Sequence, residues 1–229
     1  MTLHRFFVPA DQATGERFPL PAAIARQVRG VLRMGDGDRI VILTGDGAEA
    51  TCRLEGDDCI VEARRPSAGE PAHRLVVIQA LLKGDALEDV VRQATELGVA
   101  SFRLMVTERC VARDLSLRKL ERLRIIAREA AEQSERGRVP DVGAPISLAE
   151  ALERDSVLLA EREDGVRLSE LEPPASVIIG PEGGFTDREL DAARDAGVRL
   201  AGLGPRILRS RTVACAVAAA VLSRTGDFA

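Results

Sequence analysis

Gly180-Pro181-Glu182-Gly183-Gly184 and Gly204-Pro205-Arg206-Ile207-Leu208-Arg209-Ser210 are the stretches of this chain best suited to hold a small molecule. The first follows Val177-Ile178-Ile179 and the second follows Leu200-Ala201-Gly202-Leu203. Each therefore reads as a buried strand ending in a stiff loop poor in side chains, where an α/β protein brings a ligand against backbone. Pro181 fixes one torsion and lacks a donor, while Gly183 and Gly184 permit positive φ and close approach, so that backbone groups can read the edge of a flat heterocycle. A tight strand-to-helix turn with no ligand would use the same residues.

Several other chemistries are poorly supported. The Gly-Lys-Ser/Thr of a phosphate loop is absent, and Gly202-Leu203-Gly204 lacks a third glycine because Ile207 takes its place, which argues against ATP and NAD. His4 and His73 are the only histidines, so little material exists for a histidine-based triad. Cys52, Cys59, Cys110 and Cys215 are scattered without a C-x-x-C pair or a nearby histidine, which supports neither a metal site nor a redox motif and suits a reducing compartment. The longest apolar run, Val213 to Leu222, is about ten residues, too short to span a bilayer. Met1-Thr2-Leu3-His4-Arg5 leads into no secretory stretch. The expectation is a soluble, cytoplasmic protein with no membrane contact and no metal.

The elements that must position the loops follow from pattern. The 229 residues, 45% hydrophobic, suffice for one large or two modest domains, and the character changes near residue 66. Before it, strand-like runs over Arg39 to Leu43, Ala48 to Leu54 and Cys59 to Arg64 are separated by Gly45-Asp46-Gly47 and Gly56-Asp57-Asp58, the punctuation of an antiparallel meander in a small β domain. Arg65 to Pro71 reads as a linker. Beyond it strands alternate with helical patterns, as in an α/β sheet covered on both faces. Asp85-x-x-Glu88, Ser147-x-x-Glu150 and Thr186-x-x-Glu189 read as helix-capping boxes, with Gly98 as a stop and Phe185 and Leu190 as a hydrophobic staple. The first glycine-rich loop thus passes from a strand directly into a helix. The second flows into Thr212 to Val221, whose small side chains let a helix pack closely.

Formal net charge is -4, yet of 32 Lys and Arg residues only Lys83 and Lys119 are lysines. Arginine forks suit phosphate and base recognition, although base composition of the gene is an alternative cause. After Pro21, Ile24, Val28, Val31 and Leu32 form an apolar helical stripe, while Arg26, Arg29 and Arg33 recur on another face and can follow a phosphate backbone. A second run from Arg113 to Arg138 is interleaved with Glu121, Glu129, Glu132 and Glu135 and reads rather as a solvated, ion-paired helix.

Ile179-Gly180-Pro181-Glu182-Gly183-Gly184-Phe185, followed by Leu203-Gly204-Pro205-Arg206-Ile207-Leu208-Arg209 and Thr212, resembles the signature of the bacterial 16S ribosomal RNA uracil-N3 methyltransferases of the SPOUT superfamily. Arg5-Phe6-Phe7, Val31 to Gly35, Thr95 to Val99, Thr107-Glu108-Arg109 and Glu132-Gln133-Ser134 with Arg136 and Pro140 fall in the family's order, so the likeness covers nearly the whole chain. It implies an α/β fold: a PUA-like β-barrel over residues 1-72 for RNA contact, then a trefoil-knotted SPOUT methyltransferase domain over 73-229. The implied cofactor is S-adenosylmethionine, the substrate 16S rRNA of the small ribosomal subunit, and the assembly a homodimer. The implied cofactor residues are Leu159, Glu161, Gly180, Pro181, Glu182, Gly183, Leu203, Gly204, Ile207, Leu208, Ser210 and Thr212. Arg209 is the implied catalytic residue, able to hydrogen-bond a uracil carbonyl and stabilise charge on the ring, and Arg136 is implied to position substrate. Arg5 joins Arg26, Arg29 and Arg33 as an RNA-binding residue.

The chain departs from the family pattern at Arg211, where most members carry Glu, at Gln93 in place of Lys, and at Gln27 in place of His. A SPOUT enzyme with another RNA target, or an RNA-binding protein keeping the fold without catalysis, are the alternative readings.

Overall fold

The computed structural model describes residues 3–160 and 166–228. The chain divides into two compact units, one of Met1–Glu70 with Ala131–Val139, the other of Pro71–Ala130 with Pro140–Ala229.

In the first unit β1 (Arg5–Phe7), β2 (Arg17–Pro19), β3 (Arg39–Leu43), β4 (Ala48–Glu55) and β5 (Asp58–Pro66) form one sheet in the order β1-β3-β4-β5-β2. β3, β4 and β5 pair antiparallel in sequence order, as the glycine punctuation predicts, with β1 parallel to β3. The ladder carries β5 on to Pro66, into the stretch read as linker. The two-residue side-chain period explains why β3 is apolar at every position from Ile40 to Leu43. Ile40 and Ile42 enter a core with Phe6, Phe18, Ile24, Val28, Cys52 and Leu54, whereas Val41 and Leu43 face the other way, onto Phe7 and Ala131.

That second face accounts for the return of residues 131–139 to this unit. Phe7 N–H donates to Glu132 Oε1 at 3.0 Å, and Arg5 pairs with Glu135 at 2.7 Å. A methyl group added at Gly69 would sit 2.5 Å from the Glu135 carbonyl oxygen, so only glycine permits the approach. No sequence periodicity marks this long-range return.

The predicted arginine stripe is broken. α1 (Ala22–Arg26) runs into one π-helical turn over Gln27–Val31, and Arg33 lies beyond it with φ 55°. Arg26 and Arg33 are exposed, but Arg29 folds back onto the Met34 carbonyl and Asp36.

The second unit is α/β with a wholly parallel sheet. Its strands are β6 (Val76–Ala80), β7 (Ser101–Val106), β8 (Asp141–Val142), β9 (Ile146–Ser147), β10 (Ser156–Leu159), β11 (Ser176–Ile179) and β12 (Arg199–Ala201), ordered β12-β10-β11-β6-β7-β8 with β9 also on β7. The main helices are α2 (Ala86–Glu96), α3 (Leu117–Gln133), α4 (Leu148–Ala151), α5 (Asp187–Asp195) and α6 (Ser210–Leu222). β11 is buried at every position, as strands covered on both faces should be. Ser156 and Ser176, directly opposed on β10 and β11, satisfy each other through a 2.6 Å hydroxyl contact inside this apolar layer.

The capping boxes of α4 and α5 form as expected, Ser147 with Glu150 and Thr186 with Glu189. The third does not: Asp85 precedes α2 without a side-chain bond, and the Glu88 N–H is taken by the Asp85 carbonyl instead. Gly98 ends the turn after α2 at φ 98°, where an added methyl would lie 2.5 Å from Pro71 Cγ. Among the described residues no helix is long and apolar enough to cross a membrane.

Candidate functional site

The carboxyl ends of β10, β11 and β12 open into one cavity of about 560 Å³, within the roughly 300–1,000 Å³ usual for small-molecule sites. Ligands of open α/β sheets bind at strand ends of this kind. Leu159 and Ala160 come from β10, Ile179 to Phe185 from β11 and its loop, Ala201 to Gly204 with Arg206 and Leu208 from β12 and its loop. Asp187 and Leu190 of α5 and Ser210 and Val213 of α6 complete the wall with Arg109.

The first loop is held from several sides. Gly184 N–H donates to the Pro181 carbonyl at 3.0 Å, closing the turn, and Gly184 takes φ 66°, a left-handed value that suits glycine. An added methyl at Gly180 would lie 2.9 Å from the Phe185 ring, so the ring can pack over this position only when it is bare. Buried Gln79, the one polar side chain of β6, donates to the Ala80 carbonyl at 3.1 Å and the Gly180 carbonyl at 3.5 Å. Lys83 N–H donates to Glu182 Oε1 at 3.0 Å, and Arg109 Nη1 to the Gly183 carbonyl at 3.0 Å.

A carboxylate anchors the loop's far end. Glu189 is buried; one oxygen accepts from Thr186 N–H at 2.9 Å, closing the capping box, and the other from Glu108 N–H at 2.7 Å. It thereby ties the loop after β7 to the start of α5. Arg113 secures the same loop by donating to the Thr107 and Glu108 carbonyls at 3.2 and 2.6 Å. The result is a preorganised cradle with apolar walls and backbone polar groups.

The RNA methyltransferase domain family matches residues 69–223. The chain is 33% identical over 225 residues to ribosomal RNA small subunit methyltransferase E of Synechocystis, covering 91% of this chain and 74% of that protein. To the protein of the same name in Bacillus subtilis it is 31% identical over 236 residues, covering 92% of each. The chain belongs to the ribosomal RNA small subunit methyltransferase E family. A family member from Neisseria gonorrhoeae, solved with S-adenosyl methionine bound, superposes with a TM-score of 0.88 at 29% identity, covering 97% of this chain and 98% of that one. A putative methyltransferase from Legionella pneumophila, in complex with the bound cofactor SAM, does so with 0.85 at 26% identity, covering 98% of each.

Of the cofactor residues that the sequence resemblance implies, Leu159, Gly180, Pro181, Glu182, Gly183, Leu203, Gly204, Leu208 and Ser210 line the cavity. Ile207 and Thr212 do not: Ile207 is 66% exposed, and Thr212 is exposed on α6 with its N–H given to the Arg209 carbonyl. Glu161 lies outside the described residues. Arg209 is the exposed residue preceding α6, between the lining residues Leu208 and Ser210.

Arg136 lies in the first unit, buried, its guanidinium committed to Glu70 at 3.0 and 3.2 Å. Arg5 is likewise held, by Glu135 and the Leu3 carbonyl. The resemblance implies that both arginines meet substrate, yet their forks pair with carboxylates of their own unit. Two of the three family departures have local partners: Arg211 stands 3.9 Å from Asp89 of α2, and Gln93 accepts from the Cys215 thiol of α6 at 3.1 Å. Burial, with Glu96 and Asp89 adding negative charge, pushes that thiol's pKa up. Arg109, Phe185, Asp187 and Leu190 also line the cavity, though neither loop pattern nor resemblance assigns them there. Thr107-Glu108-Arg109 was a visible motif, but only the fold brings the end of β7 to the loop after β11.

Proposed function

We propose that this chain methylates N3 of a uridine in 16S rRNA of the small ribosomal subunit, using S-adenosylmethionine, and that it does so as a cytoplasmic homodimer. In this reading the first unit is a PUA-like barrel that contacts RNA, and the end of the second is threaded as a trefoil knot. The observation that carries the proposal is the cradle at the ends of β10, β11 and β12, in a chain whose solved relatives are described with S-adenosyl methionine bound. The strand order supports threading, because β11 lies between β10 and β6, both of which precede it in the chain.

The residues fit such a cofactor. Leu159, Ile179, Leu203 and Leu208 supply apolar surface for a flat base, and the bare Gly180 and Gly183 leave backbone open to its polar edge. When bound, the cofactor supplies a methyl group already activated by its sulfonium. The protein's share of the work is then alignment of the uracil and stabilisation of charge as the N3 proton leaves. Arg209 takes that part. Its guanidinium is exposed beside the cavity and makes no hydrogen bond or ion pair among the described residues, so it is free to meet a uracil carbonyl.

The test is methyl transfer onto small subunits from a strain lacking the gene, with the modified nucleotide mapped. Transfer to uridine N3 is expected, with Arg209→Ala cutting turnover while cofactor binding by calorimetry holds. Absence of S-adenosylmethionine binding would sink the enzyme reading, and an unaltered uridine N3 would sink the substrate.

A further inference from the structure

Four charged side chains line the cavity, Arg109, Glu182, Asp187 and Arg206, and the apolar wall for the base uses none of them. Their settings differ. Glu182 already accepts from the Lys83 N–H. Asp187 and Arg206 are exposed and make no hydrogen bond or ion pair among the described residues, so nothing fixes their position. Arg109 alone is a cation with a fixed seat. Its Nη1 donates to the Gly183 carbonyl, and a methyl group added at Gly183 would lie 3.1 Å from Arg109 Cβ, which places the stem of the arginine directly against the loop. The backbone beneath it is secured by Glu189 and Arg113.

Arg109 also marks one end of the cavity. In the order β12-β10-β11-β6-β7, the lining residues come from the ends of β12, β10 and β11, then pass over β6 to Arg109 beyond β7. Leu203 and Leu208 belong to the β12 loop at the opposite end. A ligand lying along this cavity has apolar surface under one end and a guanidinium at the other. With one donor spent on Gly183, Arg109 keeps its Nε and Nη2 donors for an anion, and a guanidinium fork matches a carboxylate.

We propose that Arg109 binds the α-carboxylate of S-adenosylmethionine. The inference rests on the cofactor reading above and adds a selectivity to it: the site distinguishes the cofactor from its decarboxylated form. Because the same guanidinium holds the Gly183 carbonyl, engagement of the carboxylate also stiffens the glycine-rich loop.

Calorimetry on the full chain with S-adenosylmethionine and with decarboxylated S-adenosylmethionine tests this. The unaltered protein should prefer the carboxylate form by about 10- to 100-fold, the range of a charge-assisted hydrogen bond. Arg109→Met should erase most of that preference while changing affinity for the decarboxylated ligand by less than about threefold, and Arg109→Lys should restore part of it. Equal weakening of both ligands in Arg109→Met would make the arginine only a support for Gly183 and overturn the proposal. So would a preference that survives in Arg109→Met but vanishes in Arg206→Met, or a raised KM for rRNA with cofactor affinity unchanged. If neither ligand binds the unaltered protein, the cofactor reading itself falls. If both bind equally, that reading stands and this inference alone fails.

Discussion

Glu189→Ala isolates the residue on which the glycine-rich loop and the loop after β7 both depend. The substitution removes the acceptor for Thr186 N–H at 2.9 Å and for Glu108 N–H at 2.7 Å. Loss of the Glu189 half of the capping box, with the Thr186 hydroxyl still accepting from the N–H of residue 189, costs about 1 kcal/mol, and a half-buried amide left without its acceptor adds about 1–2 kcal/mol, near the lower end of the desolvation range. The sum of about 2–3 kcal/mol should lower the Tm of the second unit by roughly 4–12 °C at the 2–4 °C per kcal/mol of domains this size. Thermal melting of the full chain measures the shift, and amide exchange at Glu108 locates it. Glu189→Gln should fall between, because the amide keeps one accepting oxygen and its NH2 opposes the other donor. Glu150→Ala is the control: the same box chemistry with Ser147, but exposed on α4 and joined to no second loop. Equal shifts for Glu189→Ala and Glu150→Ala, or unchanged exchange at Glu108, would refute the assignment of Glu189 as a cross-link between loops.

Gly180→Ala puts a methyl 2.9 Å from the Phe185 ring. Displacing that ring should cost about 1–3 kcal/mol and weaken S-adenosylmethionine by more than it weakens the fold, read by calorimetry beside denaturant melts. Gly98→Ala combines φ 98° with a 2.5 Å approach to Pro71 and should destabilise by about 2 kcal/mol or more, without altering cofactor affinity in protein that folds. Asp46 in the turn between β3 and β4 accepts from the Thr44 hydroxyl at 2.5 Å and from Ala48 N–H at 3.0 Å. The hydroxyl chiefly, then the amide, holds its pKa below the ordinary 3.8. Its contribution is therefore complete above the unfolded value and lost as pH falls through the lower folded one. Asp46→Asn should destabilise at pH 7 and converge with the parent in acid, as pH-dependent urea melts would show.

The sequence was most legible where local rules act alone. The β3, β4 and β5 meander follows from Gly-Asp turns between apolar runs, and the α4 and α5 caps follow from residues three positions apart. The α2 cap failed although its spacing is the same, because the backbone at Asp85 already supplies the Glu88 bond. The two loops that frame the cavity were visible because each is an apolar run breaking into Gly and Pro. Arg109 was not visible as a lining residue: its place depends on β7 lying across β6 from β11, a sheet order that no local period encodes. Arg5 and Arg136 show the converse. The resemblance implies substrate contact for both, but Glu135 and Glu70 pair with their guanidinium groups.

Residues 131–139 complete the first unit only after the chain has left it for 60 residues, Pro71–Ala130. A ribosome makes the chain from the N-terminus, so the strands of the first unit emerge long before Ala131 can cover Phe7, Val41 and Leu43, or Glu135 can meet Arg5. During translation one face of that sheet waits bare while β6, α2, β7 and most of α3 are synthesised. A gene fragment stopped near Glu70 would fix the nascent chain in that state, with an uncovered apolar face and Arg5 deprived of its carboxylate. Supplied as a separate peptide, the segment Ala131–Val139 would be a natural complement to it.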